Sequence, residues 1–169
     1  MNDQCKSEDP ATYAEGSQPT TPTQAGDTII EAAHAILQKR LREPGRAITN
    51  PGDTRRFVAL ELAEEKAEIF SAIWLDNRHR LIAFERMFNG TVNGASVHPR
   101  ELVRRAIELN AAAVIVAHNH PSGEAEPSAA DRAITKRLQD AFQLIDVRVL
   151  DHIVVGGVDT VSFAERDWL

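Results

Sequence analysis

The sequence predicts a mixed α/β sandwich built on one central sheet, and three observations predict it. Stretches with apolar residues at helical spacing alternate with short runs rich in branched and aromatic residues. The first two such runs flank the turn Asp76-Asn77-Arg78-His79 and form a hairpin, so part of the sheet is antiparallel. The run from Ala111 to Ala117 is continuously apolar and bounded by turn residues, as expected of a strand buried on both faces. No internal repeat is visible.

Residues 1–26 contain no Leu, Ile, Val, Phe or Trp and read as a disordered tail that carries the single cysteine, Cys5. Asp27 or Thr28 can cap a helical lead-in to about Arg42, with Ile29, Ile30, Ala33, Ile36, Leu37 and Leu41 as its apolar stripe; Pro44-Gly45 stops it. The main domain is expected over residues 50–169. Asn50-Pro51 and Asp53 start its first helix, which carries Phe57, Val58, Leu60 and Leu62 and runs to about Lys66. The hairpin strands follow, 69–75 and 80–88. Pro99 opens a helix that Asn110 stops, and the buried strand comes next. Ser128 starts a further helix with Ile134, Leu138, Ala141 and Phe142 inward. Strands are expected at about 146–150 and 152–155, with a last short one after Gly156-Gly157. Ser162 with Glu165 resembles a capping box for a terminal turn.

The 169 residues fit one domain with a tail, and 43% hydrophobic content can form a sizeable core. A net charge of −6 does not favour a polyanion or an anionic membrane as partner. One cysteine excludes an intramolecular disulfide and a multi-cysteine metal site. There is no apolar stretch of spanning length and no signal-peptide core, so a cytoplasmic protein is expected, with no membrane partner. The oligomeric state is not legible.

The chemistry lies between His118 and Asp131. His118 and His120 stand two apart at the end of the buried strand, so both can face one pocket. Ser128 and Asp131 have the spacing of a helix start that turns a carboxylate back to its first turn. Two imidazoles and a carboxylate make an open three-ligand site, and zinc, one per chain, suits it best. Hydrolysis there also needs a general base that is not a ligand and a donor where an oxyanion develops. The Ser128 hydroxyl can be that donor. By themselves, Ser128 and Asp131 would pass as an ordinary capping pair.

The order of a glutamate, His118-x-His120, seven residues, Ser128, two residues and Asp131 resembles the JAMM (MPN+) metalloprotease motif. The text around it is similar to the RadC-type (UPF0758) branch: Gly90-Thr91, Val97-His98-Pro99-Arg100-Glu101, His118 to Gly123, Pro127-Ser128, Asp151-His152 and Ser162-Phe163. The resemblance covers about residues 28–169. It implies a cytidine-deaminase-like JAB/MPN α/β/α fold and a zinc hydrolase site for peptide or isopeptide bonds. No helix-hairpin-helix region of the long RadC form is found, so the short form is expected. The family's base lies where the first strand begins, which is Glu68; Glu85 on the partner strand is its competitor. His118-Asn119-His120 spells the letters of a nuclease motif, but that motif is dispersed over a longer element. Deamination is excluded, because the chain lacks His-x-Glu and Pro-Cys-x-x-Cys.

The competing expectation is a DNA-repair or mobile-element accessory module with weak nucleic-acid binding through Arg104, Arg105, Arg132, Lys136 and Arg137. His152 beside Asp151 reads as a pair joining strands or backing a ligand, His98 as a cleft or turn residue, and Ser122 as a turn or cleft residue. His79 reads as a solvated turn residue.

Overall fold

A computed structural model gives the fold over residues 22–42, 51–90 and 96–169. Residues 1–21 of the tail, with Cys5, the Pro44-Gly45 stop, Asn50 and Thr91 lie outside the described residues, and the last five residues of the expected tail are helical. Helix α1 spans Pro22–Arg42 and α2 Pro51–Leu62. Strands β1 (Ile69–Leu75) and β2 (Leu81–Asn89) form the hairpin. Helix α3 (Pro99–Glu108), strand β3 (Ala113–Asn119) and helix α4 (Ala129–Gln143) follow, and β4 (Arg148–Gly156) and β5 (Asp159–Ser162) close the chain.

The sheet has the order β2-β1-β3-β4-β5. Only β3 and β4 pair in parallel; the other neighbours are antiparallel. β1 and β3 are buried along their whole length. Alternate residues of each feed two cores. On one face Ile73, Ile115 and Ile153 pack against Phe57, Val58 and Leu62 of α2. On the other, Phe70, Trp74, Val114 and Val116 pack against Leu102 of α3 and Leu138 and Phe142 of α4. The architecture is therefore the expected α/β/α sandwich with a mixed sheet.

Three boundaries differ from the sequence reading. Helix α1 begins at Pro22, not at Asp27, because proline at a first helical position needs no N–H partner and its fixed φ suits the helix. Helix α2 ends at Leu62 rather than near Lys66, since the following residues turn to lead into β1. The strands expected at 146–150 and 152–155 are one strand, β4, in which Asp151 pairs with Ile115. The polar residue is part of the ladder because its side chain is satisfied internally. Asn110 takes φ 50° just beyond α3, where an asparagine tolerates the left-handed region, and ends the helix as expected. No helix among the described residues is long and apolar enough to cross a membrane.

Candidate metal centre

The end of β3 and the start of α4 meet at the face of the sheet that carries α3 and α4. His118 is the penultimate residue of β3 and is fully buried; its ring lies parallel to Phe70 of β1, centroids 6.1 Å apart. His120 follows just beyond the strand, where its backbone N–H still donates to Val155 of β4 (2.8 Å). Asp131 is the third residue of α4. Ser128 is the N-cap: its hydroxyl accepts from the Asp131 N–H (3.2 Å), while its own N–H donates to Asp131 Oδ2 (2.7 Å). This reciprocal capping box turns the carboxylate toward the histidines.

The three side chains converge. His118 Nε2 lies 2.9 Å from His120 Nε2 and 3.3 Å from Asp131 Oδ1, and His120 Nε2 lies 3.6 Å from Asp131 Oδ2. Ligand atoms about 2.0–2.1 Å from a tetrahedral zinc stand roughly 3.3 Å apart, so these separations fit one ion. His118, His120 and Asp131 form a group that can hold a metal.

Hydrogen bonding also fixes which nitrogens face the centre. His120 Nδ1 is 2.7 Å from the Glu124 carbonyl, which only accepts, so Nδ1 carries the proton and Nε2 presents a lone pair. Thr135 Oγ1 donates to the Asp131 carbonyl (2.6 Å) and must therefore accept from His152 Nδ1 (2.6 Å). Burial holds the His152 pKa far below its ordinary value, so the ring is neutral. His152 Nε2 is then an acceptor for His118 Nδ1–H (2.8 Å), and His118 Nε2 is left as a second lone pair. Two lone pairs 2.9 Å apart beside a carboxylate are an arrangement that a cation satisfies. At Asp131 burial works against the charged form. The hydrogen bonds of Ser128, joined by His118 whenever its ring is protonated, outweigh it and hold the carboxyl well below the usual range.

A cleft of about 570 Å³ opens over the centre. Glu68, Val97, His98, Ser128, Asp131 and Arg137 are among its lining residues. Glu68 sits immediately before β1, where the sequence reading put it, and is half-buried on the cleft wall. Glu85 is not a lining residue. It accepts from Trp74 Nε1 (2.9 Å) and Arg105 Nε (2.8 Å), and the Arg105 hydrogen bond, against the opposing effect of burial, holds its carboxyl low. Ser128 Oγ borders the cleft but donates to Asp131 Oδ2 (2.6 Å).

Three contributors were not assigned from sequence, and a fourth, His152, reads as backing a ligand only as one of two alternatives. His152 pairs with His118 rather than with its neighbour Asp151, and Thr135 continues that chain. Asn119 points to the opposite face from His118. Its Oδ1 accepts from the Ile69 N–H (2.7 Å), and its Nδ2 donates to the Glu65 and Ala67 carbonyls (3.2 and 3.0 Å), so it staples the segment bearing Glu68 to β3. Gly156 floors the loop after His120: a Cβ there would stand 2.5 Å from the Glu124 carbonyl carbon, the group that orients His120. The sequence shows the residue types, an asparagine in a buried run, a threonine four residues after Asp131 and a glycine ending a strand, but not their partners.

Of the other candidates, His98 lines the cleft with its ring edge-on to Phe88 (6.0 Å) and makes no capping bond to α3. Ser122 Oγ accepts from the Glu124 N–H (3.4 Å), and Gly123 takes φ +83°, which is a turn role. His79 lies in the hairpin turn with φ 58°, and its Nε2 meets Arg148 (2.7 Å).

The RadC-like JAB domain model matches residues 48–168. A UPF0758 protein of Thioalkalivibrio sulfidiphilus is 63% identical over 141 residues, covering 83% of this chain and 62% of that protein. UPF0758 proteins of Nitrosococcus oceani and Xanthomonas euvesicatoria are 58% and 54% identical over 140 and 143 residues, each match covering 83% of this chain and 62% and 64% of the relative. The chain thus spans a little under two thirds of the length of these relatives, and their names assign no activity.

Proposed function

The chain belongs to the RadC-like JAB-domain family, and on that premise we propose that it is a zinc-dependent hydrolase of peptide or isopeptide bonds. The observation that carries this reading is the convergence of two histidine lone pairs and the Asp131 carboxylate on one point, in a cleft whose wall also presents Glu68. His118, His120 and Asp131 would hold the ion. When bound, zinc supplies a Lewis acid and a water that ionises near neutral pH.

The protein's own groups do the rest. Glu68 takes the proton of the attacking water and returns it to the leaving nitrogen, which needs a carboxylate in the cleft that is not itself a ligand. Ser128 turns its hydroxyl from Asp131 Oδ2 to the developing oxyanion; the Ser128 N–H keeps hold of that carboxylate oxygen meanwhile. His152 and Thr135 keep His118 in its binding tautomer.

Of the five side chains on which the nucleic-acid alternative rests, four are engaged within the chain and only Arg137 is not. Arg104 pairs with Glu101 and Glu108, Arg105 with Glu85 and Glu108, Arg132 stacks over Trp168, and Lys136 pairs with Asp140.

Elemental analysis of protein purified without chelator, joined to cleavage of a peptide and isopeptide panel, tests the proposal. Wild type should hold about one zinc per chain, and Glu68→Gln should keep the metal while losing at least about 100-fold in rate. A metal-free wild type, or a Glu68→Gln protein as active as wild type, would refute it.

A further inference from the structure

Arg137 stands apart from the other cations of α4. Among the described arginine side chains, only Arg78 and Arg137 have neither an acidic nor a ring partner, and Arg78 lies in the hairpin turn. Arg137 is exposed and lines the cleft over the metal centre. It belongs to the stripe Ala130, Ile134 and Arg137, the face that α4 presents to that cleft. Its neighbours on the helix are engaged elsewhere, Arg132 over Trp168 and Lys136 with Asp140. Glu68 lines the same cleft, yet the two form no ion pair.

We infer that Arg137 reads a carboxylate on the substrate, so that the cleft selects an amide flanked by an anionic group. The inference rests on the hydrolase reading only in taking the metal centre as the point of reaction. Asp131 and Arg137 are separated by about 9 Å of helix rise. An extended peptide advances roughly 3.3 Å per residue, so the carboxylate lies about two to three residues from the scissile carbonyl. Ile134 and Val97 line the cleft in between and suit an apolar side chain there. A guanidinium fork matches a carboxylate by two parallel hydrogen bonds. One arginine in a cleft that otherwise presents Glu68 and Asp131 does not track a polyanion, so a single carboxylate is the fitting ligand rather than a nucleic-acid backbone. That carboxylate can be an Asp or Glu side chain or a chain terminus.

The test is calorimetric titration of the full zinc-loaded chain with the peptides Ala-Leu-Glu and Ala-Leu-Gln, each as free acid and as amide. Wild type should prefer a charged member by about tenfold, the size of one charge-assisted contact. The Glu/Gln and acid/amide arms say whether a side chain or a terminus is read. Arg137→Gln should erase the preference with zinc content unchanged, and Arg137→Glu should bind Ala-Leu-Lys amide better than wild type does, which a merely structural arginine would not give. Equal affinity for all four peptides, or no binding at millimolar peptide, overturns the inference. So does salt-dependent duplex DNA binding that Arg137→Gln abolishes. Cleavage of the same peptides is scored separately. Discrimination without cleavage leaves Arg137 standing against the hydrolase reading, and cleavage without discrimination does the reverse.

Discussion

Asp151 and His152 are neighbours on β4, both buried, and they face opposite sides of the sheet. Asp151 closes on itself. Its Oδ1 accepts from the His152 and Ala164 N–H groups (2.7 and 3.0 Å), its Oδ2 from Ser162 Oγ (2.7 Å), and that hydroxyl accepts from the Glu165 N–H (3.2 Å). His152 instead passes its hydrogen bonds along, from Thr135 to His118, and the chain ends in a lone pair at the cleft. A buried polar cluster that satisfies all its members holds strands together. One with acceptor capacity left over, aimed at a single point, needs something from outside.

Truncation on each side should break the comparison most visibly. His120→Ala should lower metal affinity by more than about 100-fold, since deleting a ligand exceeds the cost of losing an outer partner. It should change metal-free stability by no more than about 1 kcal/mol. Asp151→Ala should do the opposite: about 2–4 kcal/mol lost, because three donors are left facing a cavity, with full metal occupancy in the folded protein. Denaturant unfolding beside elemental analysis checks both. Loss of metal from folded Asp151→Ala would erase the distinction.

A smaller effect sharpens it. His152→Ala should weaken metal binding by about 10- to 100-fold, because His118 then loses the acceptor that fixes its tautomer. Chelator competition measures this. Unchanged affinity would reassign His152 to packing against Phe163, whose ring centroid lies 4.7 Å away.

How much of this the sequence could show depends on sequence distance. His118, His120, Ser128 and Asp131 are joined by one strand, one loop and one helix start, so spacing alone brings them together. Glu68 was reached only through family resemblance, and Glu85 stayed a competitor because nothing local reveals that Arg105 and Trp74 occupy it. Which of its two readings His152 would fulfil was out of reach for a more definite reason. The parallel pairing of β3 with β4 slips between Val114 and Ile115. Without that irregularity Asp151 would stand opposite Val116, on the face of His118, and His152 would face α2. A one-residue shift exchanges the two faces of a strand, and no local pattern specifies a bulge of this kind. Asn119 and Gly156 were hidden likewise, since their partners lie on other elements.

The finest form of the comparison is a titration. Burial, which the surrounding donors only partly offset, raises the Asp151 pKa from its ordinary 3.8. The native state therefore holds this proton more tightly than the unfolded chain. The stability it contributes is present below the ordinary value and is lost as pH rises through the raised one. Asp131 runs the other way: its depressed pKa contributes stability above the ordinary value, lost as pH falls. Asp151→Asn isolates the first effect, because an amide oxygen can still accept from the His152 and Ala164 N–H groups and its nitrogen can donate to Ser162 Oγ. Stability curves of the metal-free proteins should then diverge with pH. Wild type gains on the variant as pH falls toward 3.8, the difference flattens above the raised value, and metal occupancy at neutral pH is the same for both. A difference independent of pH would mean that the fold leaves the Asp151 pKa where the unfolded chain has it, and one that turns against wild type as pH falls would mean that the carboxylate stays charged, an ion held by donors rather than an acid sharing its proton.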